Sequence, residues 1–161
     1  MDKSLIVLYG DHPALPIAYK DDMAKLLGKD LDTPLDWKKT RRIPLMFRIP
    51  SKVSEARVSE TDTGQMDILP TAAGLLGVTF TTAFGKDLLA ADTSAPVVFR
   101  NGSYIYKGVL VDPGALSATD MASGSKLDYA SFDKISDSAE QSLAYNDLIL
   151  EKNLIRNILG Y

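Results

Sequence analysis

The run Leu5-Ile6-Val7-Leu8-Tyr9, closing on Gly10-Asp11-His12, is the strongest constraint in the chain. Five apolar, β-prone residues without polar alternation predict a strand covered on both faces, as in a parallel sheet. Gly10 relaxes the backbone where the strand stops, so the turn can aim Asp11 and His12 outward. His12 is the only histidine of 161 residues. In α/β sheets ligands gather at the carboxyl ends of strands, and a carboxylate beside an imidazole suits divalent manganese or zinc. Two ligands do not complete a metal site, and the same residues fit a hydrogen-bonded structural histidine. The strand begins so close to Met1 that the chain is expected to be part of something longer.

Periodicity extends the pattern. Ala18 or Tyr19, Met23, Leu26 and Leu27 recur at helical spacing, and Gly28 is a natural stop. Residues 29–42 are polar, carry Pro34 and predict a surface loop. Ile43 to Ile49 reads as a second strand, with Pro44 near its start and Pro50 at its end. Residues 51–63 read as a loop. Gly64 to Gly77 reads as a helix with Asp67 as cap, Pro70 in its first turn, and Ile68, Leu69, Ala72, Leu75 and Leu76 as its core face. Alternating strands and helices favour an α/β unit.

The second half differs in character. Val97 to Arg100 and Ser103 to Lys107 flank Asn101-Gly102, a strong hairpin signal. Asn101-Gly102-Ser103 also matches a glycosylation sequon, but the turn explains it better. Gly108 to Val111 extends the second strand or forms a third. Residues 112–135 are rich in Ser, Asp, Gly and Ala and predict a loop. Asp137 with Glu140 predicts a helix start. That helix is expected to run to Leu159, with Leu148, Leu150, Leu154, Ile155, Ile158 and Leu159 as a stripe packed on its own domain. Tyr104 and Tyr106 read as sheet packing, and Asp67 as a cap rather than a catalyst.

Composition removes several classes of function. A net charge of -3 argues against nucleic-acid partners, which need clustered cations. The basic knot of Lys38, Lys39, Arg41 and Arg42 follows Asp30, Asp32 and Asp36 and reads as solvated loop. No cysteine is present, which excludes disulfides, thiolate zinc sites and cysteine nucleophiles. No apolar run approaches a membrane span, and neither a phosphate-binding glycine loop nor a Ser-His-Asp arrangement is legible.

Leu5 to His12 resembles the metal-binding strand end of lipoteichoic acid synthases and related phosphoglycerol transferases, in the alkaline phosphatase/sulfatase superfamily. Further stretches resemble that family in the same order: Arg42 to Pro50, its R-x-P-L strand; Gly64 to Thr71 with Leu75-Leu76-Gly77, its D-I-x-P-T helix; Phe84 to Leu89, its F-G-x-D-L-L; and Val97 to Gly102, the start of its C-terminal hairpin. Gly before the Asp and Pro13 after the His resemble the transferases more than sulfatases, which carry Ser-Asp-His-Gly.

The resemblance implies the C-terminal portion of an α/β alkaline-phosphatase-like domain. Residues 1–90 would supply the sheet portion, and residues 91–161 a hairpin and terminal helix, as one partial domain. It implies one divalent metal, Mn2+ or Mg2+, held by Asp11 and His12 together with an acidic residue and a nucleophilic Thr upstream. It further implies transfer of glycerophosphate from phosphatidylglycerol to a growing polyglycerolphosphate chain, on the extracellular face of a bacterial membrane, by a parent anchored through upstream spans. No catalytic residue is assigned within this chain, which is expected to be inactive alone. An open sheet edge predicts homodimerisation. Rival expectations are a sulfatase or phosphodiesterase of the same superfamily, and a non-catalytic binding module built on the hairpin and terminal helix.

Overall fold

The computed structural model describes residues 3–13, 15–49, 55–80, 83–90 and 94–160. The chain forms two compact units, Met1–Ser59 and Glu60–Tyr161. Both mix helix and strand, and the mixed α/β class matches the expectation from sequence.

In the first unit, β1 (Ile6–Tyr9) pairs with β2 (Leu45–Arg48). The pairing is antiparallel, with Ile6 opposite Arg48 and Tyr9 opposite Leu45, so the expectation of a parallel-sheet neighbour is corrected. Burial is corrected with it. Leu8 and Met46 face each other across the ladder and are 57% and 55% exposed. Alternate residues of a strand point to opposite faces; Val7 and Phe47, on the other face, are half-buried. A 3-10 turn at Ile17–Tyr19 leads into α1 (Lys20–Leu27), which Gly28 ends in the left-handed conformation.

The predicted surface loop at 29–42 contains α2 (Pro34–Thr40). Its start is a capping box. The Thr33 hydroxyl oxygen accepts the Asp36 N–H at 3.1 Å, and the Asp36 carboxylate accepts the Thr33 N–H at 3.3 Å. The Thr33 hydroxyl bond also holds the Asp36 carboxyl below its ordinary pKa. Leu31 and Leu35 are buried, so polar composition misread a segment whose two leucines turn inward. Pro50 and residues 51–54 of the next predicted loop lie outside the described residues.

The second unit opens with a 3-10 turn, Gln65–Asp67, and α3 (Ile68–Leu76). The expected apolar core face is corrected: Thr71 and Ala73 are buried, whereas Leu69 and Leu76 are 50% and 65% exposed. Beyond it lies a five-stranded antiparallel sheet in chain order. Its strands are β3 (Val97–Val98), β4 (Tyr104–Tyr106), β5 (Val109–Asp112), β6 (Ser117–Asp120) and β7 (Lys126–Leu127). Asn101-Gly102 makes the first hairpin turn, with Phe99 N–H donating to Ser103 O at 2.8 Å. Val109–Asp112 forms a third strand, one of the two readings the sequence left open, with Gly108 in the turn before it. The predicted loop at 112–135 instead supplies β6 and β7. Its Ser and Asp content serves turns: the Asp120 carboxylate accepts the N–H groups of Ala122 and Ser123.

The core of this unit joins Tyr104, Val109, Val111 and Ala118 of the sheet to Ala139 of α4 (Asp133–Glu151), with Phe132 and Ile135 packed against them. The terminal helix starts four residues before the predicted Asp137 and is not continuous. Asn153, at φ 47°, breaks it before α5 (Leu154–Leu159). Asn tolerates this left-handed geometry better than most residues. The expected leucine stripe is corrected as well. Leu148, Leu150 and Ile155 are exposed, and the packing residues are Ile135 and Ala139. The side chains of Ile158 and Leu159 lie outside the described residues.

The phenol of Tyr104, fully buried in this core, bonds Ser136 Oγ at 3.0 Å and donates to Phe132 O at 3.2 Å. Burial pushes its pKa above the ordinary 10.0, against the opposing pull of the Ser136 bond. A raised folded-state pKa means that Tyr104's contribution is complete below the unfolded value and lost as pH rises through the folded one. Tyr104→Phe should cost about 1 kcal/mol near neutral pH through lost hydrogen bonds. It should also flatten the alkaline loss of stability, and urea midpoints at about pH 7 and about pH 11 measure both effects.

Candidate metal centre at the end of strand β1

The pairing of β1 with β2 continues one residue past the ladder: Gly10 N–H donates to Pro44 O at 3.1 Å. A Cβ on Gly10 would stand 2.9 Å from Ile43 Cβ. Any side chain at position 10 would therefore push the two strand ends apart. Close approach is what Gly10 supplies, rather than the backbone freedom expected from sequence.

Asp11 and His12 emerge directly from this closure, with side chains 85% and 73% exposed. His12 Nδ1 lies 2.8 Å from Pro13 O. A carbonyl accepts only, so this contact is satisfied when the proton sits on Nδ1, which leaves a lone pair on Nε2. Metal-binding histidines are commonly oriented by such a bond from the other ring nitrogen. Nε2 stands 3.6 Å from Asp11 Oδ1. Two ligands each about 2.1 Å from one tetrahedral cation stand somewhat closer than this, so a small rotation brings both onto one ion. The donor set therefore fits a divalent cation. Among the described residues no group of three or more His, Asp or Glu side chains is placed to hold a metal, so these two could supply only part of a coordination shell.

The other motif residues build a structural joint in the second unit. Asp67 is 2% exposed. Its carboxylate accepts the Thr63 hydroxyl at 3.1 Å, Gly64 N–H at 2.9 Å and Lys86 N–H at 2.8 Å. Asp67 thus caps the turn before α3 and also holds the segment around Gly85. Asp67 stands at the N-cap position of α3 as the sequence suggested, but its side chain makes no capping bond to that helix and closes the turn before it instead; sequence reading missed Thr71. The Thr71 hydroxyl donates to Asp67 O at 2.7 Å and accepts Leu88 N–H at 3.1 Å. A Thr four residues after a capping Asp, on an otherwise apolar helix, was the available signal. Tyr104 and Tyr106 pack in the sheet core as expected.

Comparisons with known proteins identify what this mixed α/β chain is similar to. No protein-family model matches the chain. It is 34% identical over 158 residues to lipoteichoic acid synthase 2 of Bacillus subtilis, covering 96% of this chain and 24% of that protein. It is 31% identical over 157 residues to the lipoteichoic acid synthase of Staphylococcus saprophyticus, with the same coverage. With the lipoteichoic acid synthase-like YvgJ of Bacillus subtilis it shares 39% over 107 residues, 65% of this chain and 17% of that protein. The chain belongs to the lipoteichoic acid synthase-like family. It spans about a quarter or less of the length of these relatives and corresponds to their C-terminal part.

The joint predicts a graded cost for added methyl groups. Gly85 and Gly77 both have positive φ, 91° and 70°, but a Cβ at 85 would meet Met66 O at 2.3 Å while position 77 is open. Gly77→Ala should cost about 1–2 kcal/mol from left-handed strain alone. Gly85→Ala should cost about 1–3 kcal/mol more as the loop is forced off Asp67. Equal denaturant midpoints for the two variants would contradict the joint.

Proposed function

We propose that this chain is part of a metal-dependent phosphoglycerol transferase. Such an enzyme would move glycerophosphate from phosphatidylglycerol to a growing polyglycerolphosphate acceptor, on the extracellular face of a bacterial membrane. The strand-end pair of Asp11 and His12 carries the reading, supported by similarity to proteins named lipoteichoic acid synthase. Among the described residues no helix is long and apolar enough to cross a membrane, so a membrane anchor in the parent would lie outside this stretch.

Asp11 contributes a negatively charged oxygen and His12 a nitrogen, and Mn2+ accepts this mixed pair more readily than Mg2+, which prefers oxygen alone. A bound divalent cation would polarise the phosphoryl oxygens and lower the pKa of a hydroxyl nucleophile. The chain's own residues have a narrower task. The Gly10–Pro44 closure fixes where Asp11 and His12 stand, and the Pro13 carbonyl orients the imidazole. The nucleophile is assigned to the rest of the parent, and this stretch alone is inactive.

Titration of Mn2+ into the 161-residue chain tests the pair. Paramagnetic broadening should centre on Asp11 and His12, and Asp11→Ala should weaken the affinity at least about tenfold. Indistinguishable affinities would remove Asp11 as a ligand and with it this reading.

A further inference from the structure

We propose that Arg42 grips the phosphate of the substrate beside Asp11 and His12; this rests on the metal-site reading above. Of the basic residues at 38–42, the structure singles out one. Arg41 is half-buried and lies over the Trp37 ring, 5.6 Å from its centroid. Lys38 and Lys39 sit half-buried in the last turn of α2. Arg42 is exposed, and among the described residues its side chain shows neither ion pair nor hydrogen bond. The nearest acid in sequence, Asp36, is occupied by Thr33.

Its placement follows from the closure of the strand ends. Gly10 and Ile43 are in contact. Arg42 precedes Ile43 and Asp11 follows Gly10, so each is one Cα step of about 3.8 Å from that contact. Arg42 thus stands at the strand end that lies against the one carrying Asp11 and His12, close enough in backbone for its long side chain to share a ligand with them. A guanidinium presents paired N–H donors that match two phosphate oxygens, and its bonds to phosphate are charge-assisted. The ligand class is a phosphate ester small enough to touch both strand ends, such as a glycerophosphate group. Arg42 makes no covalent step; it neutralises charge and fixes orientation.

The test uses the 161-residue chain in metal-free buffer, with two probes: soluble sn-glycerol 1-phosphate and phosphatidylglycerol vesicles. The readout is the Arg42 Nε–Hε NMR resonance, with exposed Arg57 as the control. A saturable shift of Arg42 but not Arg57, accompanied by the Asp11 and His12 amides, is expected. The probe that produces it identifies free ester or lipid headgroup as the source. Arg42→Ala should weaken the glycerophosphate affinity read from those amides at least about tenfold, while unchanged β1 and β2 resonances verify the fold. An Arg42 shift no larger than that of Arg57 with both probes overturns the assignment. Failure of the metal reading is separate, because it appears only in the Mn2+ titration and leaves this metal-free readout intact.

Discussion

The proposed site depends on one close approach, between Gly10 and the Ile43–Pro44 segment. The Gly10 N–H bond to Pro44 O extends β1–β2 pairing past its last ladder pair, and the missing side chain at position 10 lets Ile43 come in. Two chemical consequences follow from a single backbone contact. One strand end delivers a carboxylate and an imidazole with a defined tautomer. The other delivers an arginine without a partner among the described residues. The proposed site needs both strand ends, and both arrive because a glycine stands where any other residue would hold them apart.

The second unit shows the same economy with a different purpose. Asp67 and Thr71 are buried and polar, yet each of their side-chain oxygens has a partner. Burying such groups is costly unless their hydrogen bonds are made. Here they are made in part to the backbone of the segment around Gly85–Leu88, so hydrogen bonds from Asp67 and Thr71 tie the start of α3 to the following loop. The motif residues Asp67 and Thr71 are thus accounted for by structure in this chain, and the proposed chemistry rests on Asp11, His12 and Arg42.

Much of this was legible in sequence, and the misses share a cause. The strand ending in Asp11-His12, the helix stopped by Gly28 and the Asn101-Gly102 turn follow from local chemistry, and the structure keeps them. Apolar periodicity failed wherever polar residues carried the packing. α2 was hidden because its start is a Thr33–Asp36 capping box in a charged stretch with only Leu31 and Leu35 turned inward. β6 and β7 were hidden because Ser and Asp satisfy turns inside the sheet. The leucines at 148 and 150 misled in the opposite way, since they keep a helical stripe but face solvent. Asp11 and His12 stand out in the sequence by residue type and position as the proposed metal ligands. The role proposed for Arg42 does not, because it depends on Ile43 lying against Gly10, a contact between residues far apart in sequence.

That contact can be observed directly. A carbon-edited NOESY spectrum of the chain in solution should show strong cross-peaks between the Gly10 Hα protons and the Ile43 Hγ2 methyl, alongside the cross-strand peaks of β1 and β2. Intact ladder peaks with no Gly10–Ile43 cross-peak would mean that the strand ends splay apart, and the account of how this chain assembles its site would be contradicted.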